Sequence, residues 1–366
     1  LLETAKRESD ALVPAYTNGV QAQPTLYSHY LLAQVYVFSR DIERMVECVR
    51  RHDVCPMGSC VCNGTGWPLN SARMAELLGF ERTADNAFDA GQCRGNDLPL
   101  EASQIAASVM LHIDAFLADF MTQYSQTKPW IHSVDPNGVY HSSAMPQKRN
   151  PGALIDVRRD ANEVLGEISG VIFRAHDLAP GMYDAKDQRS NATLLSDAAS
   201  VFDAFGKVIG LLKVNPDRAL EELNLDWTAS QNIADVMMQA FGIPFREGHH
   251  YSSELVTFAR AHEYTPITLP YEAAKSLYET MVKKEGLKHI PSEFPFTEPA
   301  FRSLLDPKSI VEARRSEGGP QKPELDRLFK AAEKSLETDT AWLESKVKLL
   351  RDAEIKLNSA FKALED

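Results

Sequence analysis

The most regular feature of this chain is a series of long segments in which apolar residues recur every three or four positions. Between residues 25 and 51 the apolar positions alternate steps of four and three, at Leu31, Val35, Phe38, Ile42, Met45 and Val49. Comparable spacing recurs in residues 101–126, 153–175 and 191–214. Such a period places the apolar side chains along one face of a helix. The pattern therefore predicts long helices of about 25 residues, each roughly 37 Å in length.

No alternating run is long enough to predict a substantial sheet. Long helices with apolar stripes pack side by side, so we predict an all-α fold with a long central helical bundle over residues 1–224. After Asn215-Pro216-Asp217 the helical segments become shorter. Breaks in this second part fall at Gly242-Ile243-Pro244, at Thr265-Pro266 and in residues 290–299. Residues 225–366 are predicted to form a smaller all-helical C-terminal domain that ends in a charged helical tail.

Several of the apolar stripes are wider than a single seam between two helices. This width indicates burial on more than one face, as in a bundle that lies inside an oligomer. A thick monomeric bundle is the alternative explanation.

Composition and charge exclude several classes of protein. The chain has 366 residues, of which 44% are hydrophobic and 25% charged, values typical of an ordinary globular protein. Its formal net charge of -12 argues against a nucleic-acid partner and against binding to an anionic membrane surface. A local cationic pocket for a small anionic substrate remains compatible with that charge. No run of apolar residues is long enough to predict a transmembrane helix.

The cysteines predict neither a disulfide framework nor a metal site. Cys55, Cys60 and Cys62 lie close together, but no second Cys/His pair has zinc spacing. Reduced thiols of a cytoplasmic protein are the better interpretation, and the sequence assigns no metal ligand and no cofactor. The N-terminus lacks the apolar core of a signal peptide. It opens in helix-compatible sequence without a methionine, which we interpret as a sign of missing upstream sequence.

The candidate chemistry is concentrated in one loop at about residues 133–151. After the turn-forming Asp135-Pro136-Asn137-Gly138, residues 141–151 read His-Ser-Ser-Ala-Met-Pro-Gln-Lys-Arg-Asn-Pro. A hydroxyl, an ammonium and an amide on one short loop can all contact a small anionic substrate. A solvated turn is the simpler explanation for any two of these residues, but not for the whole segment.

This undecapeptide resembles the signature of the fumarase/aspartase superfamily, usually Gly-Ser-Ser-x-Met-Pro-x-Lys-x-Asn-Pro. Gln147 is similar to the argininosuccinate lyase branch, whereas His141 stands where the superfamily has glycine. Further resemblances to that branch follow in family order along the chain, at residues 15–24, 242–249 and 311–320. The family's N-terminal domain is not matched, so we expect the chain to be a fragment, a truncated paralogue or one half of a split enzyme.

The resemblance implies a lyase that eliminates fumarate from an N-succinyl amine. By position, Ser142 matches the catalytic base, while Lys148 and Asn150 match partners of a substrate carboxylate. Thr17 matches another carboxylate contact. Asn18 stands in place of a family histidine, and because asparagine transfers no proton at neutral pH the general acid is left open. His141 is a candidate replacement for that imidazole, with a surface histidine as the alternative.

The segment expected to bind the amine half of the substrate departs further from the family. Tyr183 and Gln188 keep the family's residue types, but Asn191 takes the place of a lysine. Changes among specific hydrogen-bonding groups alter specificity strongly. We interpret them as evidence for an N-succinyl amine other than argininosuccinate, for example an amino-polycarboxylate of the ethylenediaminedisuccinate type.

Two other hypotheses remain open at this point. An adenylosuccinate-type lyase is disfavoured by the Gly318-Gly319-Pro320 segment. A catalytically impaired structural paralogue is compatible with Asn18, His141 and the unmatched N-terminal domain. The resemblance also implies a homotetramer whose active sites are shared between subunits.

Overall fold

The computed structural model describes residues 1–134, 138–182 and 188–364, with only the backbone of Gln188. Its helices, in chain order, are α1 Leu2–Arg7, α2 Tyr27–His52, α3 Ser71–Leu78, α4 Asp97–Tyr124, α5 Gly152–Ala175, α6 Gln188–Gly210, α7 Pro216–Leu225, α8 Ser230–Phe241, α9 Phe245–Ala261, α10 Tyr271–Glu285, α11 Glu298–Leu305, α12 Pro307–Glu312 and α13 Lys322–Lys362. Its short strands are β1 Leu12–Thr17, β2 Val20–Leu26, β3 Val54–Cys55, β4 Arg82–Thr83, β5 Ile131–Ser133, β6 Tyr140–His141, β7 Arg149–Asn150 and β8 Leu212–Val214. Within these described ranges, the strands form four separate two-stranded pairs. The prediction of an all-α fold is confirmed.

The long helices predicted from apolar periodicity are present as α2, α4, α5 and α6. Helix α5 shows the physical basis most clearly, because its buried side chains are separated by alternating steps of three and four. They are Leu154, Val157, Ala161, Val164, Ile168 and Val171. Residues at these steps form one continuous face of the helix, which is the face that packs.

The helix predicted to run to residue 214 ends at Gly210, four residues early. Leu212 and Val214 are buried while Lys213 between them is exposed, which is the alternation of a strand rather than of a helix. This strand, β8, pairs antiparallel with β5. Glycine has a low helix propensity, and Asn215 caps α7 by accepting from the backbone N–H of Arg218. The chain therefore leaves one helix and enters the next through a short strand.

The chain divides into two compact units that each combine several sequence ranges. The first unit comprises Leu1–Gln34, Ala118–Pro136 and Ile209–Lys330. This division does not test the predicted domain boundary at residue 225, which stays a prediction. Within this unit, helices α8 and α9 cross closely, since a Cβ on Gly248 would lie 3.1 Å from the Cα of Ala234. Its core is rich in aromatic rings that meet edge to face, as between Tyr251 and Tyr278 at 5.3 Å.

The second unit comprises Val35–Leu117, Asn137–Val208 and Ala331–Asp366. It contains α3, α5 and the C-terminal part of α13. That part of α13 is held by specific contacts: Lys346 Nζ lies 2.8 Å from Asp53 Oδ2, and Ala353 packs against Gly79, where an added Cβ would approach within 3.1 Å. The predicted charged helical tail is therefore a packed helix over this stretch.

One helical stretch in the described chain, Asp89–Tyr124, is long and apolar enough to cross a membrane, with an 18-residue window of mean hydropathy 1.4. Several of its side chains instead belong to the protein core, including Met110, Ile113 and Phe120. Because core helices meet the same criteria of length and composition, the stretch is weak evidence for a membrane span.

Candidate active site

The predicted catalytic loop is closed at its base by a short antiparallel ladder. Strand β6 precedes the loop and β7 follows it, with Tyr140 opposite Asn150 and His141 opposite Arg149. The Asn150 Nδ2 donates to the Tyr140 carbonyl at 2.8 Å. The ladder thus fixes both ends of the segment from Ser142 to Lys148.

Tyr140 anchors this ladder to the start of α5. Its ring lies directly over Gly152, where a Cβ would come within 2.6 Å of a ring carbon. Its hydroxyl donates to the carboxylate of Asp156 one turn further along α5. That hydrogen bond to a carboxylate stabilises the protonated phenol and raises the pKa of Tyr140. Glycine is needed at position 152 because any side chain would displace the ring.

The hydroxyl of Ser142 is the focus of two backbone donors. Its Oγ accepts from the backbone N–H of Met145 at 3.0 Å and from that of Ala144 at 3.3 Å. The Lys148 N–H in turn donates to the Met145 carbonyl at 3.0 Å and tightens the same turn. Fixed N–H dipoles that point at an oxygen stabilise negative charge on it. The turn can therefore stabilise the alkoxide form of Ser142.

The other predicted residues of this loop are placed differently. His141 and Lys148 are exposed. Across the described ranges, no carboxylate lies within ion-pair distance of the Lys148 ammonium, and the His141 ring makes no hydrogen bond. Asn150 is half-buried and commits one N–H to the loop base, so its remaining N–H and its amide oxygen are what a ligand could contact.

Thr17 and Asn18 lie at the tip of a β-hairpin formed by β1 and β2. The two turn residues, Asn18 and Gly19, have positive φ values of 52° and 75°, as a type I′ turn requires. Thr17 pairs with Val20 across the turn. Asparagine is among the few residues that tolerate this backbone conformation, so position 18 has a structural reason for its residue type that the sequence analysis did not consider.

Tyr16, a residue of strand β1, attaches the hairpin to the core through its hydroxyl. The Tyr16 hydroxyl accepts from Gln126 Nε2 at 2.9 Å and from the indole N–H of the fully buried Trp130 at 3.3 Å. Burial raises the pKa of Tyr16. Residue 16 thereby ties the strand that carries Thr17 to the core of the first unit.

The predicted site residues fall into three groups. Thr17 and Asn18 belong to the first unit, and the loop that carries Ser142 belongs to the second. Tyr183 lies outside the described residues. Gln188 is the first residue of α6, and its side chain is likewise outside the description.

Comparison with known proteins gives consistent matches. The sequence profile of the family described as Lyase matches residues 1–166, and that described as Argininosuccinate lyase C-terminal matches residues 227–312. The argininosuccinate lyase of Pelotomaculum thermopropionicum is 29% identical over 87% of this chain and 66% of its own length. That of Listeria innocua is 28% identical over 92% of this chain and 70% of its own length.

Solved structures agree at the level of the fold. The crystal structure of EDDS lyase in complex with formate superposes with a TM-score of 0.86 at 23% identity, covering 98% of this chain and 70% of that one. The 3-carboxy-cis,cis-muconate lactonizing enzyme from Pseudomonas putida gives a TM-score of 0.65 at 17% identity, over 92% of this chain and 70% of its own. The loop of residues 141–151 is called the signature loop from here on. Together with the long helices and these matches, it assigns the chain to the class of fumarase/aspartase-fold proteins.

Within that class, the two family profiles and the curated relatives agree on the branch. The chain is similar to the argininosuccinate lyases of the fumarase/aspartase superfamily, and this similarity confirms the resemblance inferred from its motifs. It spans about 66% to 70% of the length of the curated relatives that it matches.

Proposed function

We propose that the protein is a carbon–nitrogen lyase that releases fumarate from a small anionic N-succinyl amine. The observation that carries this proposal is the pair of backbone N–H groups directed at Ser142 Oγ, in the signature loop of a superfamily member. A serine is useful as a base only where its alkoxide is stabilised. This loop supplies that stabilisation from fixed dipoles.

In the proposed reaction, Ser142 removes a proton from the carbon next to a substrate carboxylate. The electron pair is held transiently as an aci-carboxylate, and the C–N bond then breaks to give fumarate and the free amine. Lys148 neutralises the carboxylate that gains charge, and Asn150 donates the N–H that is not used at the loop base. Thr17 contacts a substrate carboxylate. Asn18 hydrogen-bonds substrate or a water, and His141 is the candidate acid that protonates the leaving amine.

We further propose that the amine half differs from that of argininosuccinate. Asn191 replaces the family lysine, and its amide oxygen accepts from the guanidinium of Arg174 at 2.9 Å. The cationic group next to position 191 is therefore the Arg174 guanidinium, which donates a hydrogen bond to the Asn191 amide oxygen. Such a fork suits a carboxylate, which supports an amino-polycarboxylate of the ethylenediaminedisuccinate type. Tyr183 and Gln188 are proposed to bind the same half.

The shared-site homotetramer remains part of the proposal. Its support is apolar surface on α5 and α6 that a monomer leaves in water. The exposed side chains there are Ile155, Ile172, Phe173, Leu195 and Phe202, with Phe173 76% exposed. Apolar side chains that a helix leaves exposed are candidates for burial against a neighbouring subunit.

The proposal predicts fumarate release that can be followed by its ultraviolet absorbance. We expect the protein, expressed from its complete gene, to release fumarate faster from ethylenediaminedisuccinate than from argininosuccinate or adenylosuccinate. Faster release from argininosuccinate would overturn the proposed amine half. Absence of fumarate from all three would favour a structural paralogue over an enzyme.

The roles of Asn18 in the turn and in the reaction predict different results for two variants. Asn18→Gly keeps the positive φ, so we expect unchanged thermal stability and a fall in kcat/KM of about tenfold from one lost hydrogen bond. Asn18→Ala keeps the Cβ but lacks the short polar side chain with which asparagine tolerates this conformation, and it is expected to lower stability by about 1 kcal/mol as well. Full activity in Asn18→Gly would leave position 18 with the turn role alone.

A further inference from the structure

A cysteine, a histidine and a glutamate converge in the second unit, at a distance from the signature loop in sequence. Cys48 and His52 are four residues apart on α2, so they lie on the same face of that helix. Glu101 comes from the second turn of α4. The thiol sulfur, an imidazole nitrogen and a carboxylate oxygen all lie within 4.8 Å of one another.

These three groups are those that bind zinc in proteins. In a tetrahedral site with Zn–S of about 2.3 Å and Zn–N or Zn–O of about 2.0–2.2 Å, neighbouring ligand atoms are separated by about 3.3–3.7 Å. His52 Nε2 and Glu101 Oε2 are 2.9 Å apart. Adjusting all three separations into that range requires side-chain movements of about 1 Å. A thiolate also favours zinc over magnesium or calcium, which prefer oxygen ligands.

The surroundings permit a metal to displace the contacts now present. Arg51 pairs with Glu101, but its side chain is 52% exposed and already lies 3.4 Å from a second carboxylate, that of Glu47. It can therefore release Glu101 without losing an ionic partner. Cys48 is fully buried beside Ala102 and Ile105, whereas His52 and Glu101 are reached from solvent. An ion can therefore enter from the solvent side, past His52 and Glu101, and the apolar side chains around Cys48 close the opposite side.

We propose that Cys48, His52 and Glu101 form a zinc site, with water as the fourth ligand. Binding releases the Cys48 thiol proton to solvent. The His52 proton shared with Glu101 moves from Nε2 to Nδ1 through solvent, so that neutral Nε2 and the carboxylate each bind the ion in place of their hydrogen bond. The ion links the C-terminal end of α2 to the beginning of α4. Because this link forms only in the folded protein, zinc stabilises the folded state. The site is independent of the proposed elimination chemistry.

Cobalt(II) provides a direct test, since its thiolate complexes absorb in the near ultraviolet and its tetrahedral complexes in the visible. We expect the untagged, reduced full chain to bind one equivalent of cobalt with both bands and to lose both on addition of zinc. Cys48→Ser should abolish the thiolate band, and His52→Gln should weaken binding at least tenfold. Cys55→Ser, which changes a second buried cysteine, should leave the spectrum unchanged.

Two further measurements separate the site from surface binding and from a simple ion-pair network. Zinc at 100-fold above its Kd is expected to raise the Tm by about 5 °C in the wild type and not in Cys48→Ser. Arg51→Gln should tighten zinc binding, because Glu101 loses its competing cation. The proposal is overturned if the wild type shows no thiolate band, or if that band survives in Cys48→Ser and is lost on replacing Cys60, Cys62 or Cys93.

Discussion

Replacing Ser142 by alanine is expected to lower kcat for fumarate release by roughly 10³-fold, the range usual for loss of a general base. The physical reason is that Ser142 Oγ is the oxygen at which the Met145 and Ala144 N–H groups converge. Alanine leaves those donors to water and supplies no base. The KM is expected to change little, because Lys148, Asn150 and Thr17 are retained. Steady-state assays of fumarate absorbance measure both constants.

The matched control is Ser143→Ala, which removes the neighbouring hydroxyl of the same loop. The Ser143 side chain is exposed, and we interpret it as shaping the loop rather than reacting. Its variant should keep kcat within about tenfold of the wild type, less than the loss expected of a general base. Full activity in Ser142→Ala would remove Ser142 as the base, and equal losses in both variants would point to loop disruption instead.

The helical part of the fold was predictable because its signal is periodic. In α5 the buried positions from Leu154 to Val171 follow steps of three and four, and the observed helix differs from the predicted one by a single residue at its start. The error in α6 arose where the period stopped being informative. Leu212 continues a helical spacing from Ile209 but also begins the alternation of β8, and only the pairing with β5 decides between the two.

The hairpin that carries Thr17 was missed for a different reason. Asn-Gly between two short extended runs is a strong local signal for a type I′ turn, and it is present at Asn18-Gly19. Comparison with the family identifies Asn18 only as a substituted histidine, which leaves out its conformational role in the turn. A chemical comparison at one position thus obscured a backbone requirement at the same position.

The candidate site was predictable as a set of residues but not as a geometry. The signature nominates Ser142, Lys148 and Asn150. No sequence pattern, however, predicts that the Asn150 side chain donates a hydrogen bond to the Tyr140 carbonyl. The same limit applies to Cys48, His52 and Glu101. The four-residue spacing on α2 was visible, but the third ligand lies 49 residues further along and only packing brings it near.

Trp130→Ala is expected to give the largest loss of folding stability, about 3–5 kcal/mol. The Trp130 side chain is fully buried, lies edge-on to Tyr27 at 6.0 Å and donates to the Tyr16 hydroxyl. Alanine removes this contact area and leaves a cavity beneath the hairpin. Urea unfolding followed by far-ultraviolet circular dichroism measures the loss independently of indole fluorescence.

Trp67→Ala is the matched control, because the same side chain there is 79% exposed. It should change stability by no more than about 0.5 kcal/mol. Trp130→Phe separates packing from hydrogen bonding: it keeps a buried ring, loses the donor to Tyr16 and should cost about 1–2 kcal/mol. Since Tyr16 holds the strand that carries Thr17, Trp130→Phe should also raise KM while leaving kcat nearly unchanged. Equal stability of Trp130→Ala and Trp67→Ala would show that Trp130 does not support the hairpin.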